Sequence, residues 1–173
     1  MTSHLSHARP SQLPPIVLVV EDDPDTRELY ETVLNREGFW VADACDAEAA
    51  LDTAADLQPD VIITDIGLPG GCDGVSFAGL LHAQARTADI PVVAITGRPV
   101  RDFDEAGFVQ VLQKPILPDA LVASVRTALA VSRELRERSQ RTRERVPVLL
   151  EKSDRLLKKA RKLAERRGDR TRS

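Results

Sequence analysis

The run VIITD, residues 61–65, ends an apolar stretch on a single carboxylate, Asp65, and the loop IGLPGGCDG follows at once. Three other apolar runs end on polar groups: IVLVV (16–20) on Glu21 and Asp22, PVVAI (91–95) on Thr96, and VQVLQ (109–113) on Lys114 and Pro115. Strands buried on both faces read as continuous apolar runs, and a parallel sheet takes its ligands beyond the carboxyl ends of its strands. All of these polar groups are therefore expected at one edge of one sheet. Glu21, Asp22 and Asp65 would repel one another there unless a hard cation joined them, and oxygen donors with room for water suit Mg2+. An ammonium, Lys114, and a hydroxyl, Thr96, complete a set able to hold a phosphoryl group on Asp65 with its oxygens neutralised. Asp23 and Asp25 read instead as solvated caps of the first helix.

The elements that must position these groups alternate. After the strand at 16–20, Asp23-Pro24-Asp25 opens a helix carrying Leu29, Val33 and Leu34 at helical spacing, and Gly38 stops it. FWVAD (39–43) is a short strand, and Asp46 caps an Ala-rich helix with Ala47, Ala50, Leu51 and Ala54 on its apolar stripe. The Asp65 strand follows, then a third helix to about Ala85, the strand opened by Ile90-Pro91, and a short helical segment near 100–106. The last strand precedes a final helix begun by Pro118 and Asp119. Five such alternations predict an α/β fold: a doubly wound, five-stranded parallel sheet with a C-terminal helical extension.

Composition sets outer bounds. The 173 residues suit one ordinary domain plus an appendage, and 42% hydrophobic with 29% charged residues is usual for a globular protein. No apolar stretch approaches the roughly 18–20 residues of a membrane span, and MTSHLSHARPSQLPP lacks the apolar core of a secretory signal, so a cytoplasmic location is expected. Cys45 and Cys72 have no metal-ligand spacing and read as ordinary thiols, and His4 and His7 belong to a Ser/Pro-rich leader. Residues 1–125 hold 7 basic and 20 acidic side chains, whereas residues 126–173 hold 17 basic and 7 acidic ones. The chain is expected to divide into a leader (1–14), an α/β domain (15–130) and a basic helical extension (131–173).

The ordered set VLVVEDD, VIITDIGLPGGCDG, AITG and QKP, on that alternation, resembles the receiver domain of two-component response regulators, the CheY-like superfamily, over roughly residues 15–130. The resemblance implies a flavodoxin-like receiver fold with Asp65 as phosphoacceptor, taking its phosphoryl group from a histidine kinase or phosphotransfer protein. It implies Mg2+ held by Glu21, Asp22, Asp65 and the backbone carbonyl of Gly67, with Asp22 the more direct acid. Thr96 would bond a phosphoryl oxygen, and Lys114, before a cis bond to Pro115, would pair with it. Such a protein is a phosphoacceptor rather than an enzyme on other molecules, beyond self-catalysed phosphorylation and dephosphorylation, and it signals to a downstream protein target. Phosphatases that use an aspartyl phosphate want a second acid two residues on, where this chain has Gly67.

Three departures from the family pattern stand out. The loop before Asp73-Gly74 is one residue longer, and only 17 residues separate Thr96 from Lys114. Val111 stands where the family carries a rotating aromatic, and a β-branched side chain cannot swing a ring between buried and exposed positions. Phe103 and Phe108 read as core or cover residues.

In the extension, Leu135, Ser139, Thr142, Val146, Leu149, Ser153, Leu156, Ala160 and Leu163 alternate at spacings of four and three, a soft heptad seam. Pro147 argues for two helices broken near that residue. The sequence fits either a solvated helix or a surface that pairs two copies, folds back or docks a partner. Arg/Lys density would suit nucleic acid or an acidic membrane surface, but aromatics for base stacking and a helix-turn-helix pattern are missing, so sequence-specific DNA binding ranks low; the alternatives to a signalling phosphoacceptor are a non-phosphorylated scaffold that assembles through these helices and a receiver with a basic nucleic-acid-binding tail.

Overall fold

The computed structural model describes residues 13–99 and 107–169. Residues 1–12 of the expected leader, and the short helical segment over 100–106 with Phe103, lie outside them. The described residues divide into two compact units that part between Arg133 and Glu134.

In the first unit, β1 (Ile16–Val20), β2 (Trp40–Ala44), β3 (Val61–Asp65), β4 (Val92–Thr96) and β5 (Gln110–Gln113) form one sheet in the order β2-β1-β3-β4-β5. Every pairing is parallel, with Val20 opposite Thr64, Asp65 opposite Ile95 and Thr96 opposite Gln113. The helices α1 (Pro24–Arg36), α2 (Ala47–Leu57), α3 (Gly74–Ala83) and α4 (Pro118–Asp169) separate or follow the strands. The doubly wound sheet read from the apolar runs is present.

Alternation along the central strands builds two cores. Val17, Val19, Ile63, Val93 and Ile95 pack with Tyr30 and Leu34 of α1 and with Leu121 and Val125 of α4. Leu18, Val20, Ile62 and Val92 pack with Ala50 and Ala54 of α2 and Phe77 and Leu81 of α3. β1 and β4 are buried along their whole length, which is why they read as unbroken apolar runs. Asp23, Asp46 and Asp73 each cap a helix by accepting an N–H three residues on.

Strand and helix ends shift by a residue or two from the sequence reading, and two of the differences have a visible physical cause. β2 begins at Trp40 rather than at Phe39, because the Phe39 N–H bonds the Leu34 carbonyl and closes α1, while the Trp40 N–H joins the ladder at Pro15. Residues Pro118–Asp169 form one helix of 52 residues with Pro147 inside it, not two helices. A proline interior to a helix costs about 3 kcal/mol through one lost N–H and a clash with the preceding turn. The flanking runs, rich in Arg, Glu, Leu, Lys and Ala, favour helix strongly enough to continue on both sides.

Candidate functional site

The chain leaves β1 and β3 at neighbouring positions of the sheet, so the acids that end them arrive side by side. One carboxylate oxygen from each of Glu21, Asp22 and Asp65 lies within 4.8 Å of the others. Lys114, just beyond β5, reaches across β4 to join them: its Nζ donates to Asp65 Oδ2 at 2.6 Å and to Glu21 Oε2 at 3.0 Å. Asp65 Oδ1 accepts the Gly67 N–H at 2.9 Å, so each carboxylate oxygen has a donor of its own.

Burial sharpens the electrostatics. Glu21 is 2% exposed. Burial pushes its carboxyl above the ordinary value; the hydrogen bond from Lys114 opposes this without cancelling it, and the Asp65 charge adds to the rise. For Lys114, burial alone would favour the neutral amine. Its hydrogen bonds to Asp65 and Glu21 outweigh that and hold it well above the usual lysine range, so it stays charged at physiological pH. One ammonium facing three carboxylates leaves an excess of negative charge in a set of hard oxygen donors. That donor set fits a divalent cation of the Mg2+ type, held by Glu21, Asp22 and Asp65.

Thr96 ends β4 next to the Asp65–Ile95 pairing and is 1% exposed. Its Oγ1 accepts the Arg98 N–H at 2.8 Å, so its hydroxyl serves the loop after β4. Glu21, Asp22, Asp65 and Lys114 are thus gathered directly, Gly67 meets Asp65 through its N–H, and Thr96 stands at the adjoining strand end. The Lys114–Pro115 peptide is cis.

Two residues that shape the site were not singled out from the sequence. A Cβ at Gly74 would fall inside van der Waals contact of the Asp65 carbonyl oxygen and 2.8 Å from Ile66 Cα, so α3 abuts the acceptor loop where no side chain fits. The Asp73-Gly74 pair was the available signal. Arg27, which reads as one more solvated arginine on α1, donates from Nη1 to the Glu21 carbonyl at 2.6 Å. Val111, at the position of the family's aromatic, is half-buried with Val75 and Phe108 against Ile66 and Ala94.

Comparison with known proteins agrees with this fold. The family model described as response regulator receiver domain matches residues 17–126. The chain belongs to the response regulator receiver family. Among curated relatives, this receiver is 38% identical over 118 residues to the phosphate regulon transcriptional regulatory protein PhoB of Klebsiella pneumoniae, covering 65% of this chain and 51% of that one. It is 40% identical over 119 residues to the transcriptional regulatory protein PrrA of Mycobacterium tuberculosis, covering 66% and 50%. The chain thus spans about half the length of these relatives. Among solved structures, a putative response regulator from Chloroflexus aurantiacus J-10-fl matches with TM-score 0.64 and 32% identity over 68% of this receiver and 98% of that chain. The chemotaxis response regulator CheY4 of Vibrio cholerae matches with TM-score 0.63 and 26% identity over 67% and 99%. No helix among the described residues is long and apolar enough to cross a membrane.

Proposed function

We propose that this receiver accepts a phosphoryl group on Asp65 from the phosphohistidine of a histidine kinase or phosphotransfer protein, and signals by protein contact until the acyl phosphate hydrolyses. The observation that carries the reading is the meeting of Lys114 with Asp65 at 2.6 Å beside the acids Glu21 and Asp22. In the transfer, a carboxylate oxygen of Asp65 bonds to phosphorus as the donor's P–N bond breaks, and the imidazole leaves. Lys114, which already bonds Asp65, would neutralise a phosphoryl oxygen, and the Gly67 N–H would steady the attacking carboxylate. Mg2+ bound by Glu21, Asp22, Asp65 and the Gly67 carbonyl would supply charge neutralisation of the remaining phosphoryl oxygens. Thr96 would bond the phosphoryl group by turning its hydroxyl from the Arg98 backbone. The protein is in this reading a phosphoacceptor in the cytoplasm, with only its own phosphorylation and dephosphorylation as chemistry.

The test is incubation with Mg2+ and a small acyl phosphate such as acetyl phosphate, followed by intact mass. The wild type should gain one phosphoryl group, and Asp65→Asn should gain none. An increment of equal size in the variant, or none in the wild type, removes the reading.

PhoB and PrrA are named as transcriptional regulators, whereas CheY4 is matched over 99% of its chain. Output by protein contact is in keeping with the likeness to a chemotaxis response regulator. The heptad spacing, on a helix that continues to Asp169, supports pairing of two copies through the extension as part of that output. Sedimentation should then give twice the chain mass; a monomer at micromolar concentration removes the pairing.

A further inference from the structure

The acid pair Glu21-Asp22 sits on the short turn between β1 and α1, and the backbone of that turn is fastened to β2. The Glu21 N–H bonds the Ala44 carbonyl at the end of β2, 3.1 Å away. Arg27, from the first turns of α1, then folds back over the turn. Its Nη1 donates to the Glu21 carbonyl at 2.6 Å and lies 3.4 Å from the Asp22 carbonyl, while its Nε pairs with Asp43 Oδ2 on β2 at 3.2 Å. One planar guanidinium thereby links both acid-bearing peptides to the edge strand, and its side chain is only 19% exposed. A lysine could not do this, because its point charge lacks the fixed fork of donors that serves two directions at once.

We infer that Arg27, anchored by Asp43, is a positioning residue that holds the Glu21 and Asp22 carboxylates in the arrangement a divalent cation requires. It touches neither the reacting atoms nor a carboxylate of the acid cluster; it acts through their backbone. Groups that orient the ligands of a metal in this indirect way typically contribute 10- to 100-fold to metal affinity. The bland alternative is a strut that merely fastens α1 to β2. That role predicts lost stability with unchanged cation binding by the molecules that remain folded. The inference rests on the cation reading of the acid cluster, and its test separates the two.

Mg2+ is titrated calorimetrically into the full chain, with thermal melting of the metal-free protein measured alongside. The wild type should bind one Mg2+, and Arg27→Met should bind it at least 10-fold more weakly at temperatures well below its melting midpoint. Arg27→Lys, which keeps the charge but not the fork, should recover less than half of that loss on a logarithmic scale. Asp43→Asn, which takes the anchoring charge from the guanidinium, should weaken binding in the same direction. Wild-type Mg2+ affinity in Arg27→Met, with or without a lowered midpoint, overturns the positioning role while leaving the cation site intact. Absence of Mg2+ binding in the wild type overturns both.

Discussion

Replacing Lys114 by alanine is expected to destabilise the metal-free protein by about 2–3 kcal/mol at neutral pH, between the values for fully buried and exposed ion pairs. The physical reason is not the loss of an attraction alone. Lys114 serves Asp65 and the buried Glu21 together, and its removal leaves two carboxylates close to each other with no cation between them. The pH dependence follows from the direction of each shift. Glu21 already has a folded value above its unfolded one, so the folded state binds the proton more tightly and its ionisation lowers stability as pH rises. Without Lys114 that rise grows, so the gap between variant and wild type should narrow as the solution is acidified toward the ordinary carboxylate range. Lys114 itself has a raised folded value, so its stabilising share is present below its unfolded value of 10.5 and is lost only as pH climbs through the folded one. Chemical denaturation at several pH values measures this; a variant as stable as the wild type at neutral pH would show that the ammonium does not hold the cluster together.

The second large effect belongs to a residue with no functional group. Gly74→Ala places a methyl against the Asp65 carbonyl and Ile66 Cα, and both are backbone atoms that cannot swing aside. Either α3 or the acceptor loop must shift. Overpacking of this kind costs about 1–3 kcal/mol, and displacement of a reacting group by about 1 Å can cost a hundredfold in rate. The variant should therefore melt earlier and take up a phosphoryl group from acetyl phosphate about a hundredfold more slowly, although every polar residue of the cluster is intact. Wild-type uptake in a folded Gly74→Ala protein would show that the approach of α3 does not fix Asp65.

The sheet was legible because β1, β3 and β4 are buried on both faces and so leave unbroken apolar runs that end on polar residues. The same endings named Glu21, Asp22, Asp65 and Lys114, since parallel strands deliver their carboxyl ends to one edge whatever the loops between them do. What escaped depends on contacts that spacing does not carry. Arg27 has the sequence context of any arginine on an exposed helix face, and only its reach back to β2 distinguishes it. Gly74 could be read as a turn glycine until α3 is seen against the Asp65 carbonyl. The sharing of Lys114 between Glu21 and Asp65 follows from side-chain length and burial, which the order of motifs leaves open. Pro147 misled for the opposite reason: a strong local signal was outweighed by helix-forming sequence on both sides.

The central claim is that Asp65 itself carries the labile phosphoryl group, and it has a direct chemical readout. Borohydride reduces an acyl phosphate to an alcohol, turning a phosphorylated aspartate into homoserine, which peptide mass spectrometry locates. After treatment with acetyl phosphate and Mg2+, homoserine should appear at position 65. Homoserine at Glu21's neighbour Asp22 or at another aspartate, with position 65 unchanged, would contradict the account.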